Sequence, residues 1–292
     1  MQKRIDTEIS LLEMKTKLEE YWSSFEVLNL NTWDMEMGAA TFHPYCFFTS
    51  IQNEPFRCMY LQPSRRHADG KYGISPNRVI RHHQFQVLIN PFTDVKDIQE
   101  SYLKSLEYLG LDLSKNDVRF IENDWESTAL GAFGVGWEVW VNGMEVTQFT
   151  FFTKMADIPL KNTIVELAYG MERLALVLSN KDNFYDLKWD QNTTYKDLFF
   201  EFEYQQTKYY LELQKKNPHH LKTIEDNFLV AMENNLYYPA YELILQYNKE
   251  INLLLAGRFI SQLERKELLT KMRGMVNSCG LLFKESLNKK FH

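Results

Sequence analysis

The sequence predicts an α+β fold in which a largely antiparallel sheet is flanked by helices and followed by an all-α C-terminal region. Between residues 56 and 154, aromatic and β-branched segments are separated by Gly, Pro, Asn or Asp, as is typical of strands joined by turns. From about residue 195 to the end, apolar residues recur at helical spacing instead. We therefore expect a mixed domain over 1–195 and a helical domain over 196–292.

The mixed part is expected to begin with a helix. Apolar residues near helical spacing among charges predict one amphipathic helix over about 7–25. The chain then becomes extended, and a second helix is predicted within 94–114, where the apolar periodicity is closed by Gly110. The predicted strands are 56–63, 82–90, 117–124, 136–143 and 144–154.

A further helical pattern begins near residue 163 and runs through ELAYGMERLALVLS. The polar stretch over 180–194 is expected to be a loop. Beyond it, Pro218, Pro239 and Gly257 separate the predicted C-terminal helices. Those helices cover 198–216, 223–235, 240–259 and 263–286.

The net charge argues against a protein that binds a long stretch of nucleic acid by itself. The sequence has 33 Lys and Arg against 39 Asp and Glu, a formal net charge of −6, whereas such proteins usually carry a basic face. One local exception is a basic stretch, opposed within it by Asp69, that is large enough for a polyphosphate. Its cations are Arg57, Arg65, Arg66, Lys71, Arg78 and Arg81.

Location and cysteine chemistry can also be predicted. No apolar run approaches the roughly 20 residues that a membrane span needs, and the first residues alternate charged with apolar types, unlike a secretory signal. We expect a cytoplasmic protein with no membrane association. The three cysteines are scattered without a CxxC pair, so we expect neither a disulfide framework nor a structural zinc site.

The basic stretch lies in a predicted hairpin, QPSRRHADGKYGISPNRVIRHHQFQVLI. Arginine suits phosphate because its planar fork makes two parallel charge-assisted hydrogen bonds, while an aromatic face can stack on a base. A second segment, AYGMERLAL, places Arg173 at the start of an apolar helical run. Taken singly, the first is equally a solvated basic hairpin, and the second is an amphipathic helix with ordinary polar positions.

Together the two segments resemble a known family. RHHQF after an arginine-containing loop resembles motif 2 of the class II aminoacyl-tRNA synthetases, and GMERL resembles their motif 3. The runs DMEMGAATFHP, QPSRR, DGKYG, PNR, NDWES, GWEVW, NGMEVTQFT and YGMERLA, in this order, are similar to the alpha subunit of the bacterial alpha–beta glycyl-tRNA synthetase. The mixed domain over 1–195 would then be a class II catalytic domain.

The resemblance implies specific ATP ligands. Arg65 or Arg66 would contact the α-phosphate, and the sequence leaves the choice between them open. Phe85 would stack on adenine, and Arg173 would meet the γ-phosphate and the other face of the base. The catalytic arginines would thus be one of the first pair together with Arg173.

Further roles follow from the same resemblance. Lys71 and Arg78 are candidates for the pyrophosphate end of ATP or the acceptor end of tRNA. Glu145 and Gln148 match the pair that coordinates Mg²⁺. Glu166 stands where a related enzyme has an acid for the substrate ammonium, although each acid is equally a candidate for a structural ion pair.

The glycine pocket is expected to include Gln84, Trp125 and Glu138. Protein side chains that fill the space beside the bound glycine would exclude larger amino acids. Trp125, Trp137 and Trp140 are candidates for this role.

The implied function is ATP-dependent formation of glycyl-adenylate, followed by transfer to tRNA(Gly) together with a beta subunit. An alpha–alpha homodimer is also implied, with Pro44 at the motif 1 position. The alternative is a synthetase-like paralogue that serves as a regulatory or nucleotide-binding subunit.

Overall fold

A computed structural model of the protein describes residues 8–69, 78–92, 94–213 and 220–290. Its strands are β1 (Leu28–Asn29), β2 (Phe56–Arg65), β3 (Arg81–Asn90), β4 (Val118–Glu122), β5 (Trp125–Ser127), β6 (Ala132–Val141), β7 (Met144–Met155) and β8 (Ile158–Gly170). Its helices are α1 (Leu11–Ser23), α2 (Pro44–Gln52), α3 (Val95–Leu109), α4 (Met171–Ser179), α5 (Tyr195–Leu213), α6 (Leu221–Glu233), α7 (Tyr237–Ala256) and α8 (Gln262–Lys290). Two 3-10 turns cover Ala40–Phe42 and Phe184–Asp186.

Within the described ranges, the strands form one sheet in the order β1-β2-β3-β8-β7-β6-β4, with β5 paired to β6. The pairing is antiparallel except between β1 and β2. The predicted antiparallel sheet and the helical C-terminal region are therefore confirmed.

In the central strands both faces of the sheet are buried, and alternation along a strand decides which core each side chain enters. On β3, Phe85, Val87 and Ile89 belong to a core that also contains apolar residues of α1, α3 and α4. Leu88 belongs to the opposite core, which includes apolar residues of α2, α6, α7 and α8. Gln84 also lies on this second face, toward the end of the sheet where the site forms.

The helix boundaries follow their capping residues. Ser10 accepts a hydrogen bond from Glu13 N at 3.2 Å and begins α1, which is shorter than the predicted 7–25. Asp94 accepts from Lys96 N at 2.7 Å and begins α3. Gly110 ends that helix with φ of 106°, the left-handed conformation that glycine tolerates, as the sequence predicts.

The helix predicted from about residue 163 is wrong in its first part. Residues 158–170 form β8, and α4 begins only at Met171. Strand β8 lies in the interior of the sheet between β3 and β7, so Ile164 to Tyr169 are buried on both faces. A continuous apolar run of this kind does not distinguish a central strand from a buried helix by periodicity. Helix α2, at Pro44–Gln52, was not predicted either.

The C-terminal helices pack directly on the sheet layer. Tyr241 of α7 stacks on Phe47 of α2 with ring centroids 4.3 Å apart, and Arg273 of α8 makes a bidentate ion pair with Asp157 at 2.5 and 2.6 Å. The division of the chain near residue 195 stays a prediction. Across the described ranges, no helix is both long and apolar enough to cross a membrane. Cys46, Cys58 and Cys279 are free, buried thiols.

Candidate active site

A cavity of about 330 Å³ opens on the face of the sheet that also packs against α2 and the C-terminal helices. Its floor is formed by the ends of β3, β7 and β8, and its sides by the turn before α2, the basic loop, Trp125 and the start of α4. The lining residues are Ala39, Thr41, Arg66, Asp69, Arg78, Val79, His82, Gln84, Trp125, Glu145, Val146, Thr147, Gln148, Glu166, Ala168, Gly170, Glu172, Arg173 and Phe184.

Three arginines that line this cavity, Arg66, Arg78 and Arg173, lie close together, with Asp69 and Glu145 beside them, and we call this part of the cavity its cationic end. Arg66 donates from Nε to Gly38 O at 3.3 Å, and Arg78 lies 3.8 Å from Asp69. These contacts are long and leave guanidinium donors for an anionic ligand. The arrangement can therefore bind a polyphosphate between the basic loop and α4.

Arg65 and Arg66 point to different places. Arg65 does not line this cavity; its Nη1 pairs with Glu36 at 2.9 Å, and its guanidinium lies 5.4 Å from the ring centroid of Phe202. It lines another cavity, of about 280 Å³, together with Lys249. Of the two arginines that the sequence left open, Arg66 is the one at the candidate phosphate site.

A β-bulge brings Glu145 and Gln148 to the same side of β7. Trp140 pairs with Glu145 and Val139 with Thr147, so Val146 is the extra residue. Residues three apart in a regular strand point to opposite faces, but the extra residue restores a common face. Glu145 Oε2 pairs with Arg173 Nη1 at 2.7 Å, next to the cationic end.

Glu166, which also lines the cavity, is 1% exposed. Its carboxylate accepts from Thr41 Oγ1 at 2.9 and 3.1 Å and from Gln86 Nε2, and Cys46 Sγ lies 4.0 Å away. Burial raises the pKa of Glu166 to about 7, against the opposing effect of the bonds from Thr41 and Gln86. A carboxylate so placed is suited to an incoming cation.

The wall beside Glu166 is partly formed by Gln84 and Trp125. Gln84 Oε1 accepts from Ala40 N at 2.9 Å and Ser64 Oγ at 3.0 Å, which fixes its amide. Trp125 packs edge-on against Phe152 with ring centroids 5.4 Å apart.

The other predicted pocket residues lie elsewhere. Glu138 does not line the cavity, because its carboxylate accepts from Asn123 Nδ2 and from Trp140 Nε1, the latter at 3.0 Å. Trp140 is held by that bond, and Trp137 packs in the opposite core against Phe149. Of the three tryptophans considered for filling the pocket, Trp125 is the one in its wall.

The stacking role predicted for Phe85 does not fit its position. Phe85 is 0% exposed and packs edge-on against Tyr169 in the core that contains α1, α3 and α4. It neighbours Gln84 on β3 and therefore points to the opposite face. Besides Trp125, the aromatic side chains that line the cavity are His82 and Phe184. Desolvation, reinforced by the charge of Arg66, lowers the pKa of His82 to about 4, so its ring is neutral near physiological pH.

The segments of β3 and α4 that resemble motifs 2 and 3 are joined by a buried pair of side chains beside the cavity. Glu172 is 2% exposed; it accepts from His83 N at 3.0 Å and lies 2.6 Å from His83 Nδ1. Burial opposes ionisation, but the charge and hydrogen bonds of His83 hold the pKa of Glu172 below its ordinary value. Because Glu172 precedes Arg173, this pair fixes the first turn of the helix that presents Arg173.

Sequence reasoning missed the partners of Glu166. Gln86 could have been found, since it lies two residues beyond Gln84 and shares its face of a predicted strand. Thr41 lies in the run DMEMGAATFHP, which contributed to the resemblance but for which neither a structure nor a role of Thr41 was predicted. Lys71, predicted near the phosphates, lies outside the described residues.

The residues at the cationic end have the donor types expected for Mg²⁺. Mg²⁺ is commonly held by one or two carboxylates with substrate phosphates and water completing its shell. Glu145 supplies a carboxylate, and Gln148 uses Nε2 to donate to Trp137 O at 3.2 Å and Phe149 O at 2.9 Å, which orients its amide. The described residues contain no cluster of three or more His, Cys, Asp or Glu that could hold a metal ion.

Comparisons with known proteins extend over almost the whole chain. A family model described as glycyl-tRNA synthetase alpha subunit matches residues 11–288. The glycine–tRNA ligase alpha subunit of Petrotoga mobilis is 42% identical over 275 residues, which cover 93% of this chain and 94% of that protein.

Two solved structures of pyrrolysyl-tRNA synthetase from Desulfitobacterium hafniense align with TM-scores of 0.44 and 0.43 at 11% and 13% identity. The alignments cover 66% and 63% of this chain and 75% of each of those chains. The family match and the identity to the Petrotoga protein are decisive: the chain belongs to the glycyl-tRNA synthetase alpha subunit family of class II aminoacyl-tRNA synthetases.

Proposed function

We propose that this chain activates glycine with ATP to form glycyl-adenylate and, with a beta subunit, transfers the glycyl group to tRNA(Gly). The observation that carries the proposal is the polarity of one cavity. Arg66, Arg78 and Arg173 lie close together where β8 ends and α4 begins, and the buried carboxylate of Glu166 lies four residues before the end of β8. This is the charge pattern that a polyphosphate and the ammonium of an amino acid require.

In the first half-reaction, a carboxylate oxygen of glycine attacks the α-phosphorus of ATP. The bond from that phosphorus to the bridging oxygen breaks, and pyrophosphate leaves with the electron pair. The reaction needs no covalent enzyme intermediate, so the side chains act by alignment and by stabilising phosphate charge. Arg66 is assigned to the α-phosphate, and Arg173 to the far phosphate and one face of adenine, with Arg78 as an additional phosphate ligand.

Glu166 is assigned to the glycine ammonium. Its hydrogen bonds from Thr41 and Gln86 hold the carboxylate in one orientation. An ammonium bound there directs the glycine carboxylate away from Glu166 and toward the cationic end. Trp125 and Gln84 would limit the space beside the α-carbon, so that a larger amino acid meets a filled wall.

Glu145 and Gln148 are the proposed ligands for Mg²⁺, which when bound would neutralise phosphate charge. Glu145 already pairs with Arg173 at 2.7 Å. A proposed metal ligand and a proposed phosphate ligand are therefore adjacent. When ATP binds, Arg173 would exchange its pair with Glu145 for a phosphate, and Glu145 would be free to hold Mg²⁺.

In the second half-reaction, the terminal ribose hydroxyl of tRNA attacks the carbonyl carbon of glycyl-adenylate. The ester bond forms, AMP leaves, and the hydroxyl proton is released. With a net charge of −6, the chain as a whole offers little electrostatic attraction for tRNA. We therefore assign most of the tRNA contact to the beta subunit. The same proposal includes an alpha–alpha homodimer and a cytoplasmic location.

The test is ATP–pyrophosphate exchange measured with each amino acid, with and without the beta subunit. We expect glycine-dependent exchange by the pair and poor tRNA charging by this chain alone. A regulatory or nucleotide-binding paralogue would bind ATP but show no exchange with any amino acid in either condition. Efficient charging of tRNA by the purified chain alone would contradict the assigned division of labour.

A further inference from the structure

Helix α5, the first helix after the predicted domain boundary, bonds to the backbone at the base of the basic loop. Glu203, 4% exposed, accepts from Ile80 N at 2.7 Å and from Arg81 N at 3.1 Å. Tyr195 donates from its hydroxyl to Arg81 O at 2.8 Å. These bonds hold the point where the chain returns from the loop into β3.

The same backbone unit holds Arg66. Arg66 N donates to Ile80 O at 2.8 Å, and Ile80 O belongs to the peptide group whose N–H, on Arg81, donates to Glu203. One peptide group thus connects the carboxylate on α5 to the backbone of an arginine in the candidate phosphate site. Hydrogen bonds joined through a peptide group polarise and strengthen one another in a buried setting.

We propose that Glu203 is a positioning residue for ATP: through the Ile80–Arg81 peptide it sets the backbone of Arg66 and the exit of the loop that bears Arg78. The inference rests on the proposed function, in which those arginines bind ATP phosphates. It makes the C-terminal helical region a contributor to the nucleotide site.

The chemistry of the contact explains why a carboxylate stands here. An ionised Glu offers acceptors to both N–H groups, whereas the isosteric Gln has one acceptor oxygen and would turn its own N–H donors toward the other. Aromatic residues of α5 add a second contact, since the Arg81 guanidinium lies 5.3 Å from the Phe199 ring centroid and the Arg65 guanidinium 5.4 Å from that of Phe202. The helix therefore holds both strands that flank the loop.

The test is Glu203→Gln in the full chain with its beta subunit, measured by the Kd of an ATP analogue that has a non-cleavable α,β bridge. We expect that Kd, and the KM for ATP, to rise about tenfold, the effect of weakening one hydrogen bond to a charged group. The KM for glycine should stay unchanged, because Glu166 is held by other elements. Glu201→Gln is the matched control: Glu201 is exposed on the same helix and accepts from Gln205 at 2.8 Å.

A general loss of structure would raise both KM values or lower the fraction of active protein, so the split between ATP and glycine distinguishes positioning from folding. If Glu203→Gln fails to fold, the Tyr195→Phe variant tests the proposal instead. It removes one hydrogen bond to Arg81 and should raise the Kd of the ATP analogue by a smaller factor. Unchanged analogue affinity in the folded variant would overturn the proposal. Failure of the wild-type enzyme to catalyse exchange would instead count against the proposed function, because analogue binding needs no catalysis.

Discussion

Replacement of Glu166 by Gln tests the glycine site most directly, because the two side chains have nearly the same shape and differ in charge. Glu166 is fully enclosed and receives hydrogen bonds from Thr41 and Gln86. A hydroxyl and an amide can each reverse their hydrogen bonds to suit a glutamine. The variant should therefore keep its packing and lose the carboxylate that the proposal assigns to the glycine ammonium.

The stability effect follows from the pKa of Glu166, which burial raises from the ordinary 4.5 to about 7. A carboxyl whose folded pKa is raised stabilises the fold fully below its unfolded pKa, and this contribution is lost as pH rises through about 7. The free energy involved is about 3 kcal/mol, at roughly 1.4 kcal/mol for each pKa unit. The amide of the Glu166→Gln variant does not titrate, so the variant should be more stable than wild type at about pH 8.5 and nearly equal at about pH 5.

The assay is urea unfolding of both proteins at these two pH values without substrates, followed by glycine-dependent exchange. Exchange by the variant should fall by on the order of 10²–10³. Glycine binding to wild type should also weaken about tenfold for each pH unit below the pKa of Glu166, because the protonated acid does not pair with ammonium. A variant that is destabilised equally at both pH values, or that retains exchange within about tenfold, would refute the reasoning.

Other substitutions test the remaining assignments. Arg173→Ala should lower exchange by on the order of 10²–10³ because it removes a phosphate ligand, and exchange within about tenfold of wild type would exclude it from the mechanism. Arg66→Ala should weaken binding of the ATP analogue more than Arg65→Ala does, whereas equal effects would contradict the separate placement of the two side chains. Trp125→Ala should admit alanine in the exchange assay, with Trp137→Ala, in the opposite core, as the control. An unchanged amino-acid profile in the first tryptophan variant would defeat the filled-wall explanation.

Patterns that depend on neighbouring residues were predictable from the sequence. The alternation of apolar residues identified the strands that carry Gln84 and Gln148, and Gly110 marked the end of α3. The strand that carries Glu166 was misassigned as a helix, because burial of both faces removes the alternation that normally reveals a strand. The placement of Glu166 near the substrate site therefore rested on resemblance alone.

Other features depend on contacts between distant segments, which periodicity does not encode. The common orientation of Glu145 and Gln148 requires the bulge at Val146, and a bulge appears only in the register between two strands. The different directions of Arg65 and Arg66 arise at the end of β2, where the first pairs with Arg81 and the second has left the strand. Adjacent arginines with opposite surroundings are indistinguishable in one sequence.

The buried carboxylates around the site differ in what neutralises them, and this difference separates substrate binding from scaffolding. Glu36 pairs with Arg65 and His67, and Glu172 pairs with His83. Glu203 accepts from two backbone N–H groups and also lies near the charges of Arg65 and Arg81. For Glu166, by contrast, the described part of the chain provides no salt-bridge partner, and its neighbours are neutral donors.

A scaffolding carboxylate without a cation would be a poor choice, because hydrogen bonds to neutral groups only partly offset the loss of hydration. The lost hydration of the Glu166 carboxylate is offset when a bound substrate supplies a cation. An ammonium that enters beside Glu166 restores the missing charge, and the pKa of Glu166, raised by burial to about 7, should then fall. Glycine should therefore stabilise the wild-type fold most strongly above about pH 7, and a glycine effect that is independent of pH would contradict this role.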